Sequence, residues 1–334
     1  MRRYLGGLVV ASVMMVGVLG ACGSALAGEA GMTTVRVNVF PGITNLGLYA
    51  AQAQGMFARR GLNVAVEFTP NSQAQRDGLA AGKFEVAHAG VDNAIALVEV
   101  AKADAIIILG GDSSLNNVYV QPEIASIADL RGKTVIVDAP NTAYALQLYK
   151  ILKLNGLRKG DYTIKVVGGT SLRLEGMRKE KAYAATMLNP PFSVMAEKEG
   201  LRNMGSAVQM IGTYQGPGAF VMRGWAQANT ETLVRYIQGF VEGLRWAMDP
   251  ANKDRAVALL ADRLKLPPDV ALKSYEIAVD PVRGFAKDAR FDIEGFKNTL
   301  KLRAELEGQW GGTPPPPDKY FDLSYYERAL AGLN

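Results

Sequence analysis

From Thr33 onward, two hydrophobic periods take turns along the chain. Val35, Val37 and Val39 alternate with Arg36, Asn38 and Phe40, the period of a half-buried strand. After the Pro41-Gly42 turn, Leu46, Tyr49, Ala50, Ala53, Met56 and Phe57 recur at helical spacing, with Arg59 and Arg60 in the last turn and Gly61 as the stop. Val64, Val66 and Phe68 then alternate again. This βαβ unit predicts a mostly parallel sheet.

The alternation continues. Helices are predicted from about Ser72 to Ala81, Asp92 to Lys102, Thr142 to Asn155 and Leu172 to Lys179, with strands at Phe84–Ala89, Ala105–Leu109, Lys133–Val137, Tyr162–Val167 and Tyr183–Leu188. Val118 and Val120 open a connecting segment, and Ser126-Ile127-Ala128-Asp129 has the form of a capping box. Pro191 suits a first helical position, and Gly200 closes the short helix it begins. From about Thr230 the pattern turns mainly helical: Leu233–Met248, Lys253–Leu264, Pro268–Ala278 and Ile293–Leu306. The Pro314–Pro317 run then reads as an extended strap, and Tyr325–Leu330 as a last short helix.

The N-terminus reads differently. Arg2 and Arg3 precede an uncharged run from Leu5 to Leu19, the layout of a secretory signal peptide and too short for a comfortable membrane span. Leu19-Gly20-Ala21-Cys22 resembles the bacterial lipobox, so residues 1–21 are expected to be a lipoprotein signal peptide and Cys22 the lipidation site. Ala25-Leu26-Ala27 offers a competing cleavage site. The expected product is an exported lipoprotein, periplasmic or at the cell surface, held to the membrane by its lipid.

Composition narrows the chemistry. Cys22 is the single cysteine and His88 the single histidine, which excludes a disulfide framework, a thiolate nucleophile in the mature fold and a zinc cluster. The net charge of +5 includes Arg2 and Arg3, and no block of basic residues suggests nucleic acid. No G-x-S-x-G elbow and no G-x-G-x-x-G turn occur. Gly132-Lys133-Thr134 lacks the leading glycine of a phosphate-binding loop, because Ile127 stands there. No cofactor and no metal are expected.

In an open α/β sheet, ligands sit beyond the strands' carboxyl ends, where helix N-termini offer free N–H groups. The turns at those ends carry Phe40, Thr44 and Asn45, then Asn71, Ser72 and Gln73, then Asp92 and Asn93. Asp138, Asn141 and Thr142 follow, then Gly169 and Thr170, and finally Asn189 and Pro190. Each has a plainer role as well. Ser72, Asp92 and Thr142 are good helix caps, Asn71 and Asn141 suit turns, and Tyr49 and Tyr144 suit a core. His88, at the end of its strand, serves equally as a ligand partner or a satisfied core imidazole. Arg76 and Arg173 could clamp an anion, but both lie on amphipathic helices, where arginine is ordinarily solvated.

The segments PNSQAQRDGLAAGKFEVAHAGVDNAIA, SIADLRGKTVIVDAPNTAYALQLYKIL and MLNPPFSVMAEKEG resemble the ABC-transporter substrate-binding proteins of the nitrate/sulfonate/taurine and thiamine-precursor (pyrimidine) group. The resemblance implies a type II periplasmic-binding fold: two α/β lobes joined by two crossover strands, with a helical C-terminal extension. Lobe 1 would be residues 33–117 and 212–334, and lobe 2 residues 118–211. It implies a ligand site at Phe40, Asn45, Asn71, Ser72, Asp92, Asn93, Asn141, Thr142, Asn189 and Pro190, to which Tyr49, His88 and Tyr144 are added on their own chemistry. The implied partners are a small solute and the permease and ATPase subunits of an importer, the binding protein itself being a monomer. Pyrimidine-forming relatives use a cysteine-rich segment that this chain lacks.

A binding protein for a small carboxylate or sulfonate, one for a pyrimidine-like precursor, and an enzyme on the same fold are the readings left open. A ligand-sensing receptor lobe is a further one, without a DNA-binding or second membrane segment to support it.

Overall fold

The structure, a computed structural model, describes residues 31–113 and 115–333. The predicted signal peptide, Cys22 and Ala27 lie outside the described residues.

In chain order the first part is β1 (Thr33–Val39), α1 (Leu46–Ala53), β2 (Leu62–Phe68), α2 (Ser72–Ala80), β3 (Val86–Gly90), α3 (Asp92–Glu99) and β4 (Ala105–Leu109). The middle comprises β5 (Asn117–Val120), β6 (Thr134–Val137), α4 (Ala143–Leu154), β7 (Thr163–Val166), α5 (Thr170–Lys179), β8 (Tyr183–Leu188), α6 (Phe192–Lys198), β9 (Arg202–Ser206) and α7 (Ala207–Ile211). Then come β10 (Pro217–Met222), α8 (Arg223–Ala228), α9 (Thr230–Met248), α10 (Lys253–Leu264), α11 (Pro268–Ala278), α12 (Ile293–Glu307) and α13 (Ser324–Ala331).

These strands form two five-stranded sheets, in the orders β2-β1-β3-β10-β4 and β7-β6-β8-β5-β9. Four strands of each sheet run the same way, as expected of mostly parallel sheets, and one strand in each makes it mixed. β1 runs parallel to β2 and β3, and β6 parallel to β7 and β8. β10, however, is antiparallel to β3 and β4, and β5 to β8 and β9. The segment opened by Val118 and Val120 is therefore an interior strand rather than a connection. Sheet polarity follows from connectivity: β5 and β10, the strands by which the chain passes from one sheet to the other, arrive from the opposite end.

Period-two burial builds a core on both faces of each sheet. Ile106 and Ile108 face the side covered by α1 and α9, whereas Ala105 and Ile107 face the side covered by α3 and α12. In the second sheet Val135 and Val137 point toward α4, and Ile136 toward α5 and α6. Two α/β lobes result. α12 touches both, since Phe296 and Leu300 pack on the first sheet while Leu302 joins Ala143 and Leu146 of α4.

The chain passes between sheets twice, from β4 to β5 and from β9 to β10. The first passage begins at Gly110-Gly111. A Cβ on Gly110 would stand 2.4 Å from the Arg290 carbonyl oxygen, and one on Gly111 2.8 Å from that of Pro217, so only glycine allows this approach. The Gly216 N–H donates to the Asp112 carbonyl at 3.0 Å, which ties the two passages side by side.

Candidate functional site

The carboxyl ends of β1, β3, β6 and β8 and the first turns of α2, α3, α4 and α5 converge between the lobes on a cavity of about 60 Å³. The lobes touch around it. The Ser72 N–H donates to both carboxylate oxygens of Asp138, at 3.2 and 3.3 Å. The Gly169 N–H donates to the Pro70 carbonyl at 2.9 Å, and Arg303 Nη1 to the Asn141 carbonyl at 3.0 Å.

Eight of the expected residues line this cavity: Phe40, Ser72, His88, Asp92, Asn93, Thr142, Tyr144 and Asn189. Asn45, Tyr49, Asn71, Asn141 and Pro190 stand outside the lining and shape the turns behind it. Asn45 Nδ2 donates to the Phe40 carbonyl at 2.7 Å and to the Tyr49 hydroxyl at 3.3 Å, and Tyr49 is buried. Asn71 caps α2 by accepting from the Ala74 N–H at 2.8 Å. Asn141 and Pro190 present backbone carbonyls to Arg303 and to the Ile43 N–H respectively.

The arginines depart from expectation. Arg173 is 1% exposed and Arg76 6%, so neither is solvated. On both helices the outer polar face is exposed, with Gln73 and Asp77 on α2 and Glu175, Arg178 and Lys179 on α5, whereas Arg76 and Arg173 lie on the buried face. Arg173 sits one turn into α5, behind the Gly168-Gly169 turn, and lines the cavity. Nε donates to Thr186 Oγ1, Nη1 to the Gly168 carbonyl, and Nη2 to Thr170 Oγ1 and the Met187 carbonyl, at 2.7 to 3.2 Å. All four acceptors are neutral, and among the described residues no carboxylate lies within ion-pair distance. Since guanidinium carries five N–H donors, one remains on Nη1. Burial lowers its pKa, opposed by the charge of Asp138, yet guanidinium stays protonated. Asp138, Gly169 and Thr170 also line the cavity; their position after a strand end was the signal for them.

Arg76 is held by Asn93 Oδ1 at 2.6 Å and Gln73 Oε1 at 2.8 Å. Asn93 in turn donates to Ser72 Oγ at 3.2 Å, which leaves the serine proton free to point at a ligand. Asp92 pairs with Arg303, both buried, at 3.3 Å. Burial pushes the Asp92 carboxyl up to about 6, against the pull of Arg303 and Arg76. His88 contacts the Tyr236 hydroxyl at 2.7 Å, and burial pushes its pKa down to about 3, so the ring is neutral. Arg76 and Arg303 lie near Asp92 and Asp138, and the charge of Asp112 reaches the Tyr144 hydroxyl, so among these arginines Arg173 is the one that lines the cavity and is held by neutral acceptors. A buried cation held by neutral acceptors favours an anion beside it.

Two lobes with this strand order, meeting over a polar cavity at their strand ends, define a periplasmic-binding-type fold. Solved structures share it. The nitrate-binding protein NrtA of Synechocystis PCC 6803 superposes with a TM-score of 0.74 at 14% identity, over 91% of this chain and 89% of that one. A ligand-binding component of an ABC-type import system from Staphylococcus aureus gives 0.73 at 12%, over 89% and 99%. The alkanesulfonate-binding protein SsuA of Xanthomonas axonopodis pv. citri, bound to MOPS, gives 0.69 at 16%, over 87% and 96%. The desulfurization enzyme DszB shares the fold too, at 0.61 and 14% over 90% and 99%, so the fold alone does not separate binding from catalysis. No curated protein sequence matches. Residues 43–253 match the NMT1/THI5-like family model, and the chain belongs to that family.

Proposed function

We propose that the chain is the extracytoplasmic solute-binding component of an ABC importer, and that its solute is a small organic anion of sulfonate or carboxylate type. The observation that carries this reading is Arg173, a buried cation in the cavity wall without a carboxylate partner among the described residues. A buried charge of that kind is stabilised when an anion completes it. The nitrate- and alkanesulfonate-binding neighbours support the same class. Membership of the NMT1/THI5-like family, with Phe40 and Tyr144 in the wall, favours a planar pyrimidine-like acid as the second reading.

Lobe 1 is taken as residues 33–117 and 212–334 and lobe 2 as 118–211, a division that the strand membership of the two sheets supports. The protein acts as a monomer, reaches its place by export, is anchored through lipid on Cys22, and delivers solute to permease and ATPase subunits. Among the described residues no helix is long and apolar enough to cross a membrane. Catalysis is not part of the reading: neutral His88 is engaged by Tyr236, and the contact on the Ser72 hydroxyl among the described residues is the Asn93 amide, which is no general base.

Calorimetry with short sulfonates and carboxylates tests the proposal. Arg173→Met should weaken binding by about one to two decades, the worth of a charge-assisted hydrogen bond, while Arg173→Lys retains part of it. An Arg173→Met protein that folds and keeps its full affinity would refute the assignment. Recovery of chemically altered ligand after incubation would instead point to an enzyme.

A further inference from the structure

α12 touches both lobes, and its sequence carries two stripes at helical spacing. Phe296, Leu300 and Arg303 form one, and Asn298, Leu302 and Glu305 the other. The first stripe faces lobe 1. Phe296 and Leu300 pack in the cluster of Phe291 and Tyr320, and Arg303 pairs with Asp92 of α3. The second stripe faces the passage and lobe 2. Asn298 Nδ2 donates to the Thr213 carbonyl at 3.0 Å, Leu302 packs with Ala143 and Leu146 of α4, and Glu305 meets Lys150 and Lys153. We infer that α12 is a clasp: rooted in lobe 1, it grips lobe 2 by α4 and holds the cleft closed before any solute arrives.

The root is firm. A Cβ on Gly295 would stand 2.7 Å from the Gln215 nitrogen, so the first turn of α12 lies directly on the passage from β9 to β10. The Asp292 N–H donates to Gln215 Oε1 at 2.7 Å beside it. The grip is apolar and polar together. Leu302, Ala143 and Leu146 are all buried, and opening would return them to water. Arg303, fully buried, reaches the Asn141 carbonyl of lobe 2 at 3.0 Å, and opening would take that acceptor from a buried cation. The Glu305 pairs are partly exposed and form the weaker end.

Leu302, Arg303 and Glu305 stand outside the cavity lining, so their contacts are made whether or not a solute is bound. The helix they grip puts Thr142, Ala143 and Tyr144 into the cavity wall. A clasp of this kind raises affinity for every solute by one common factor, because less closure is left for the solute to drive. That consequence rests on the solute-binding reading, whereas the clasp itself does not.

Small-angle scattering from the full chain with no solute added tests the clasp. The wild type should be compact and change little when methanesulfonate or acetate is supplied. Leu302→Glu sets an unpartnered carboxylate against α4 and should enlarge the radius of gyration. In calorimetry it should weaken both anions by the same factor, of about ten or more. If that variant fails to fold, Glu305→Lys brings three lysines together and should expand the chain as well. Adding Lys150→Glu and Lys153→Glu to it should restore compactness, which a general loss of packing would not allow. A wild type already expanded without solute, shrinking on methanesulfonate as far as the variant does, overturns the clasp. Folded variants as compact as the wild type overturn it too. A compact wild type, expanded variants and no binding of either anion uphold the clasp and overturn the anion reading alone.

Discussion

At the scale of single residues, the cleft holds two titrating groups whose burial acts in opposite directions. His88 stays neutral in the folded chain down to about pH 3, whereas the unfolded chain protonates it near 6.5. Unfolding therefore takes up a proton in that window, and the stability present above pH 6.5 is lost as pH falls toward 3. Asp92 runs the other way: folded, it holds its proton up to about 6, while unfolded it releases it near 3.8. The folded state binds the extra proton there, so this contribution falls as pH rises from 3.8 to 6. His88→Gln should accordingly lose less stability than the wild type between pH 7 and pH 4, and Asp92→Asn should lose more. Urea midpoints at several pH values would show it, and parallel curves for all three proteins would contradict it. The strand-end rule brought both residues to notice from sequence. Which of them is charged depends on burial, and that is a property of neighbours such as Tyr236 and Arg303 that lie far away in the chain.

At the scale of elements, the helix starts divide capping from binding. Asn71 caps α2 and Ser72 follows it inside the helix, so their side chains do different jobs. Asn71→Ala should cost about 1 kcal/mol of stability with affinity nearly unchanged. Ser72→Ala should keep the cap and weaken anion binding by at least tenfold, the loss of one charge-assisted hydrogen bond. Thr142, at the N-cap of α4, donates instead to the Ala139 carbonyl at 3.1 Å; its replacement by alanine should cost about 1 kcal/mol of stability. Parallel thermal melts and titrations would separate the three, and a Ser72→Ala protein with reduced melting and intact affinity would make Ser72 a structural residue.

Elements with strong local signals were legible in the sequence. Strands Ala105–Leu109 and Tyr183–Leu188 and helices Lys253–Leu264 and Pro268–Ala278 lie where periodicity puts them. The failures have local causes. β10 opens on Pro217-Gly218, which reads as a turn, although proline is tolerated as the first residue of a strand. β9 is short and largely polar, and α1 stops at Ala53 because Gly55 turns left-handed, with φ of 68°, before Phe57. The candidate site was legible as a set of turns. It was not legible as a charge balance, since Arg173 gains its meaning only when α5 folds back over Thr186.

At the scale of the molecule, the seam between lobes carries polar contacts of unequal weight. Lys150 and Lys153 of α4 meet Glu305 of α12 at 2.7 and 2.8 Å at a partly exposed site, where such pairs contribute little. The hydrogen bonds around the cavity, from Ser72 to Asp138 and from Arg303 to Asn141, join the lobes at a more buried place. The sheet orders add a consequence about time. All five strands of the second sheet come from one uninterrupted stretch, Asn117 to Ser206, while the first sheet lacks the strand between β3 and β4 until Pro217–Met222 has been reached. Pairings that span more chain form later, because a larger loop must close first. The half of the protein that begins later in the chain should thus be the half that finishes folding earlier. In refolding followed by pulsed hydrogen exchange, amides of Val118–Val120 and Ala184–Leu188 should gain protection before those of Ile106–Ile108 and Ala219–Val221. Until the later stretch arrives, the gap between β3 and β4 is an open seam onto which another chain could add a strand, so aggregation of a slowly folding variant should start there.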